Sequence, residues 1–388
     1  MTVRAMVEPA VLRWARETAG VAVEDAARRV QVKPEVLAAW EAGGARPTMT
    51  RLRTLANVYK RPLSVFFLPQ PPAEPPLNVH DFRQIPGIAA GAFSSTLRIQ
   101  LRRARERREL ALDLIQDLEQ PLPAFDLRAT LEHDPEELGA KLREMLGVDL
   151  ATQERWTGVY DAFNAWRARI ESLGVLVFQM SRVDLEEARG FSLAEEPLPV
   201  IAVNMKDPPN ARAFTMFHEL CHVALQRSGI CEPDEDRLLP SEERQVEVFC
   251  NRVAGAALVP MRDLLAEDIV RAHAGALWSE EELRTLARRF SASRFVVLRR
   301  LLTARRTTAA FYKAKHEDWL ADALDQRAKE KAGGGPPPDR AAVAERGQTF
   351  VRLVLQSYYQ DRITLSDVSE YLGVRLKHLS KIEQAAGF

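Results

Sequence analysis

His218 and His222 stand four residues apart in Arg212-Ala-Phe-Thr-Met-Phe-His218-Glu219-Leu-Cys221-His222, with a glutamate between them. At 3.6 residues per turn the two imidazoles share one helix face, within reach of a single cation, and Glu219 projects beside them toward a water that such a cation would activate. The pattern predicts a zinc site, with Mn2+ as the other candidate metal, and the chemistry it suits is hydrolysis of a peptide bond, Glu219 acting as the base.

A hydrolytic zinc needs a third protein ligand and an open position. A third histidine six residues on is excluded, because that place holds Ser228. The set of two His and one Glu needs a glutamate on a later helix, roughly 20 to 30 residues downstream. Glu247 fits, on a stripe with Cys250, Asn251, Ala254 and Leu258 at helical spacing. Glu242, Glu243, Asp236 and His273 are the competing ligands. Asn251, one turn after Glu247, is placed to hydrogen-bond and orient a ligating imidazole. The small residues Ala254, Gly255, Ala256 and Ala257 would let this helix lie close to the His218 helix.

Two strands are expected to wall this helix. Gly174-Val-Leu-Val-Phe178 and Pro199-Val-Ile-Ala-Val-Asn204 are short apolar runs bounded by turn formers. Before them, amphipathic helices are expected around Leu138, Leu142, Leu146, Trp156, Phe163 and Trp166, and a long helix from about Thr96 to Glu119 carries Arg98, Arg102, Arg103, Arg105, Arg107 and Arg108. Such a run reads first as a solvated face and second as a patch for nucleic acid or an acidic partner.

The bulk properties narrow the setting. The 388 residues hold 54 basic and 54 acidic side chains, so a nucleic-acid or membrane partner must be met by a local patch. No apolar run approaches a membrane span and the first twenty residues have no signal-type core, from which a cytoplasmic protein without a membrane partner is expected. Three cysteines, Cys221, Cys231 and Cys250, give no disulfide framework, and Cys221 reads as a small buried residue.

Residues 1–69 read as short helices over Pro9–Ala19, Val23–Val30, Pro34–Glu41, Thr50–Tyr59 and Leu63–Leu68, sharing a core of Ala26, Ala27, Val30, Val32, Val36, Leu37, Trp40, Leu52, Leu55 and Ala56. Their order and the Trp40-Glu41-Ala-Gly43 ending resemble the helix-turn-helix of phage-repressor-like (XRE-type) regulators. The second helix of such a motif reads DNA with polar side chains at its start. Here that start offers Lys33 beside Glu35, Ala38 and Ala39, and the 11 basic against 6 acidic residues of the segment permit phosphate contact. Lys33, Arg46, Arg98, Arg102 and Arg105 are therefore the candidate contacts for DNA or a protein partner, with dimerisation the other use of the module.

Pro199-Val-Ile-Ala-Val-Asn204, Arg212-Ala-Phe-Thr215, His218-Glu219-Leu-Cys-His222, Glu247-x-x-Cys250-Asn251 and Leu258-Val-Pro260 together resemble the consecutive signature of the ImmA/IrrE metallopeptidases. The resemblance spans roughly residues 1 to 305 and extends through Leu286-Ala-Arg-Arg-Phe290 to Arg300-Leu301. It implies that His218, His222 and Glu247 hold zinc and that Glu219 is the catalytic base. It also implies a protein substrate, a repressor or antitoxin encoded nearby, cleaved in a stress or mobile-element system. Cys221 and Cys250 depart from the glycine and alanine usual there.

Ser366 to Glu383 can be laid on Glu24 to Glu41 as an internal echo, and Ala287 to Leu301 forms a looser third helix-turn-helix pattern. Reuse of three-helix packing without DNA is the simpler reading of both. The expected architecture is α+β and mostly helical: an all-α helix-turn-helix domain (1–69), a Pro-rich linker (70–96), a helical arm with a minimal gluzincin-like zinc peptidase and small sheet (97–262), a helix-turn-helix-like unit (263–332) and a carboxy-terminal helical unit (333–388). The expected activity is that of a zinc metallo-endopeptidase. The alternative is a transcription regulator or antitoxin whose peptidase-like domain serves as a sensor.

Overall fold

The computed structural model describes residues 4–72, 93–231, 241–329 and 338–388. Asp236 and most of the Pro-rich linker lie outside the described residues. Cα packing divides the described residues into two units, the first ending at Arg103 and the second running from Ala104 to Phe388.

The first unit contains α1 (Pro9–Thr18), α2 (Val23–Val30), α3 (Pro34–Glu41), α4 (Met49–Tyr59) and a 3-10 turn over Leu63–Phe67. Proline opens α1 and α3, where its missing N–H costs nothing, and Thr48 caps α4 by accepting from the Arg51 amide. Leu12, Ala26, Ala27, Val30, Leu37, Trp40, Leu52 and Leu55 close one core. Val36, expected in that core, is instead exposed, because it falls on the outer side of α3. The buried Glu41 carboxylate takes two hydrogen bonds from Arg16, at 2.8 and 3.0 Å, and ties α3 to α1.

Helix α5 (Ser95–Asp117) contributes residues to both units. The helix up to Arg103 groups with the first unit and its remainder with the second. Its arginines are not a solvated face. Arg98 donates to the Phe93 carbonyl and Arg102 to those of Tyr59 and Lys60. Arg108 is buried and donates to the Leu198, Pro197 and Glu195 carbonyls, while Arg105 pairs with the Glu195 carboxylate at 2.6 Å.

The second unit continues with α6 (Pro135–Met145), α7 (Leu150–Glu154), α8 (Val159–Ser172), β1 (Leu176–Met180), β2 (Gly190–Leu193), β3 (Val200–Asn204), α9 (Pro209–Ala224), β4 (Gly229–Cys231) and α10 (Ser241–Leu258). Beyond these come α11 (Met261–Ala266), α12 (Asp268–Ala272), α13 (Glu280–Arg289), α14 (Arg294–Thr303), α15 (Ala309–Lys329), α16 (Pro338–Arg346), α17 (Gln348–Tyr359), α18 (Leu365–Leu372) and α19 (Leu379–Ala386).

The sheet has the order β1-β3-β2-β4. β1 runs parallel to β3 with Leu176 opposite Val200, and β2 is antiparallel to both β3 and β4. Every residue of β1, β2 and β3 is buried, as a sheet covered on both faces requires. Val177, Ile201 and Val203 turn toward α9, whereas Phe178 meets Phe350 of α17 edge to face at 6.0 Å. Gly347, just before α17, has φ +82°, and a β-carbon there would stand 2.6 Å from Glu171 Oε1 and 2.8 Å from the Val177 carbonyl. Only glycine allows α17 that close.

Helix α9 is buried on nearly every side from Arg212 to Ala224, so it is a core element and not an amphipathic surface helix. α10 lies against it and against α6. The small residues of α10 serve α6 and α14 as well as α9: a β-carbon on Gly139 of α6 would meet Ala256 Cβ at 2.6 Å, and one on Gly255 would meet Arg300 Cδ at 3.1 Å. Buried polar side chains take up the carbonyls at the end of α10, Arg143 bonding Ala257, Gln153 bonding Leu258 and Arg300 bonding Val259.

Candidate metal centre

Helices α9 and α10 bring His218, His222 and Glu247 together, with ligand atoms within 4.8 Å of one another. His218 Nε2 lies 3.2 Å from Glu247 Oε2, His222 Nε2 lies 3.1 Å from Glu247 Oε1, and the two Nε2 atoms are 3.1 Å apart. Among the described residues no other group of three such side chains converges in this way.

His218 Nδ1 donates to Asn251 Oδ1 at 2.9 Å, an amide oxygen that can only accept. That bond places the His218 proton on Nδ1 and leaves the Nε2 lone pair facing His222 and Glu247. Lone pairs and a carboxylate facing one another across about 3 Å repel unless a cation or a proton stands between them. Nitrogen and oxygen ligands about 2.0–2.1 Å from a tetrahedral zinc would be separated by roughly 3.3 Å, close to the spacing seen. The donor set fits a divalent metal.

Glu219 is fully buried beside this cluster on the sheet-facing side of α9. A β-carbon on Gly190 of β2 would lie 3.2 Å from Glu219 Oε1 and 2.5 Å from Thr215 Cγ2, so the glycine makes room for the carboxylate. Ser192, two residues along the same strand face, is buried near Glu219. Burial pushes the Glu219 carboxyl above its ordinary range, against the pull of His222, His218 and Ser192. At Glu247 burial acts in the same sense; when no metal is bound and the two imidazoles carry protons on Nε2, their charges and hydrogen bonds outweigh it and hold this carboxyl well below the usual range. One carboxyl is therefore kept as a ready anion while its neighbour is made easy to protonate.

Two stretches of the chain match known domain families. Residues 170–302 match the IrrE N-terminal-like domain family, Peptidase_M78. Residues 12–66 match a helix-turn-helix family. The chain joins a helix-turn-helix domain to a Peptidase_M78 domain, the fusion that the sequence motifs resemble. No curated protein matches the chain.

Within the Peptidase_M78 domain the competing ligands lie elsewhere. Glu242 pairs with Arg227 at 3.1 Å, Glu243 is absent from the cluster, and His273 Nδ1 donates to Glu282 Oε1 at 2.9 Å while its ring stacks on Trp278 at 3.8 Å. Cys221 and Cys250 are buried, and burial, with the neighbouring thiol, pushes Cys250 well above the ordinary thiol range. Both behave as small apolar residues.

In the helix-turn-helix domain Lys33 is exposed just before α3, beside exposed Glu35, and Arg46 is exposed with its guanidinium on Met6 Sδ. Arg98, Arg102 and Arg105 hold the intrachain partners given above. Two residues beside Glu219 were not singled out in the sequence, Gly190 and Ser192. The only signal for them was a four-residue run, Gly190-Phe-Ser-Leu193, standing between charged stretches.

Proposed function

We propose that the chain is a metal-dependent endopeptidase, using zinc or manganese, that cleaves a specific partner protein, a repressor or antitoxin, in a stress or mobile-element regulatory system. The observation that supports it best is the convergence of His218 Nε2, His222 Nε2 and Glu247 beside the buried Glu219, within a Peptidase_M78 match. His218, His222 and Glu247 would hold the cation, which when bound supplies Lewis-acid polarisation of the scissile carbonyl and makes water a stronger nucleophile.

The protein's own residues do the rest. Asn251 keeps His218 in the tautomer that presents Nε2. Glu247, as a carboxylate, would balance part of the charge of a bound cation. Glu219 would take a proton from the attacking water and return it to the leaving amine, a task suited to a carboxyl that burial makes easier to protonate. The attached helix-turn-helix supports a regulatory role and a site of action in the cytoplasm, where DNA is.

Metal content tests the site. Purified protein should carry about one divalent ion per chain, lost in His222→Ala and in Glu247→Ala. Full occupancy in both variants would overturn the ligand assignment.

A further inference from the structure

The peptidase reading leaves the last fifty residues without a task, yet within them residues 364–386 repeat the turn between α2 and α3 of the amino-terminal domain. In the first unit α2 ends on Gln31 at φ 58° and α3 follows; in the second α18 ends on Gly373 at φ 56° and a 3-10 turn over Leu376–His378 leads into α19. The amide of Val32 bonds the Ala27 carbonyl at 3.0 Å, and that of Val374 bonds Ser369 at 3.1 Å. Val36 bonds Lys33 and His378 bonds Arg375, both at 3.0 Å. Ala26, Val30 and Trp40 are buried, and so are their counterparts Val368, Leu372 and Ile382. Residues 364–386 therefore form a helix-turn-helix, outside the segment 12–66 that matches that family.

The two motifs differ on their outer face. A helix-turn-helix reads duplex DNA with side chains at and near the start of its second helix, basic ones on phosphates or guanine and amides or hydroxyls on base edges. At those places the amino-terminal copy carries Glu35, Val36, Ala38 and Ala39. The carboxy-terminal copy carries Lys377, His378, Ser380 and Lys381, preceded by Arg375 and followed by Gln384. Arg375, Lys377, Ser380, Lys381 and Gln384 are all exposed, and the three cations pair with no carboxylate among the described residues.

The nearby acidic groups are mostly engaged. Asp367 closes the capping box with Thr364, and Glu383 accepts from the Tyr359 hydroxyl at 2.5 Å; Glu370 is the exposed carboxylate of α18. The apolar side of the motif is spent on packing, α19 against α16 and α18 against α17. A unit serving only to cover the sheet has no need of a row of unpaired cations on its far side.

We propose that this carboxy-terminal helix-turn-helix binds duplex DNA through Arg375, Lys377, Ser380, Lys381 and Gln384. The amino-terminal copy, with Glu35 facing outward, is the weaker reader. Attraction to the phosphates supplies most of the affinity, and Ser380 and Gln384 supply base-edge contacts.

The test uses the full chain and a pool of random duplexes selected for binding at low salt. Enriched duplexes should bind with an affinity that falls steeply with salt, and Lys377→Glu with Lys381→Glu should weaken them at least about tenfold and flatten the salt slope by about 2. Lys33→Glu should change affinity less than about threefold by the same reasoning, since it removes one contact at most from the other copy. Both variants alter exposed side chains, so unchanged melting temperature and metal content certify the fold. Failure to enrich any duplex overturns the proposal, as does binding abolished by Lys33→Glu but untouched by the Lys377 and Lys381 reversals, or equal capture of single strands.

Discussion

Asn251 Oδ1 accepts the Nδ1 proton of His218 at 2.9 Å, joining one turn of α10 to the first histidine of α9. The residue that fixes the tautomer lies one turn from Glu247, so a single helix brings both a candidate ligand and the group that would orient another. Removing the acceptor frees the imidazole to rotate and to place its proton on Nε2. Asn251→Ala should weaken metal binding about 10- to 100-fold with the secondary structure intact, as measured by competition with a chelator. Unchanged affinity would show that His218 is oriented by something else.

Gly190 gives a second test, on the sheet side of Glu219. Its replacement by alanine sets a methyl 2.5 Å from Thr215 Cγ2 and 3.0 Å from the Ala202 carbonyl, both inside a packed core. Gly190→Ala should cost about 1–3 kcal/mol of stability by overpacking and should lower peptidase activity more than metal content. Denaturant unfolding and metal analysis on the same preparation measure both; a variant as stable and active as the parent would contradict the close approach.

Glu280 predicts a pH dependence away from the site. Its carboxylate accepts from Lys315, Trp319 and Arg294, linking α13 to α14 and α15. Burial raises its pKa, but those hydrogen bonds and the Lys315 charge outweigh that and leave it below 4.5. A carboxyl depressed on folding stabilises above its unfolded pKa, and the contribution disappears as pH falls through the folded value. Unfolding midpoints followed from neutral pH to below 4.5 should fall less steeply for Glu280→Gln than for the parent. Parallel curves would show that the network contributes nothing.

The sequence exposed the centre because its parts are local. His218 and His222 need only helical period, Glu247 and Asn251 need one more helix, and the amino-terminal helices follow from proline starts and glycine stops. What it hid depends on contacts between distant residues. Glu219 is cradled by Gly190 and Ser192, and β2 owes its existence to pairing with β3 and β4, not to any alternation of its own four residues. The arginines of α5 misled for the same reason: Arg108 is buried because Leu198, Pro197 and Glu195 present carbonyls to it, and nothing in the local charge run reveals that. Val36 shows the limit within a helix, where an apolar residue at the edge of the stripe lies outside the core.

The central claim is that Glu219 is the base of a peptidase acting on a partner protein, and new protein N-termini in cells test it most directly. Glu219→Gln keeps size and hydrogen bonding but accepts no proton, so it should retain metal and lose about 10² to 10⁴ of the cleavage rate. Cells carrying the parent chain should then show at least one internal N-terminus in a regulatory protein that is missing with Glu219→Gln, and the uncut protein should be retained on the inactive variant. Identical sets of N-termini from both, with metal bound in each, would contradict the account and leave the domain a sensor in place of an enzyme.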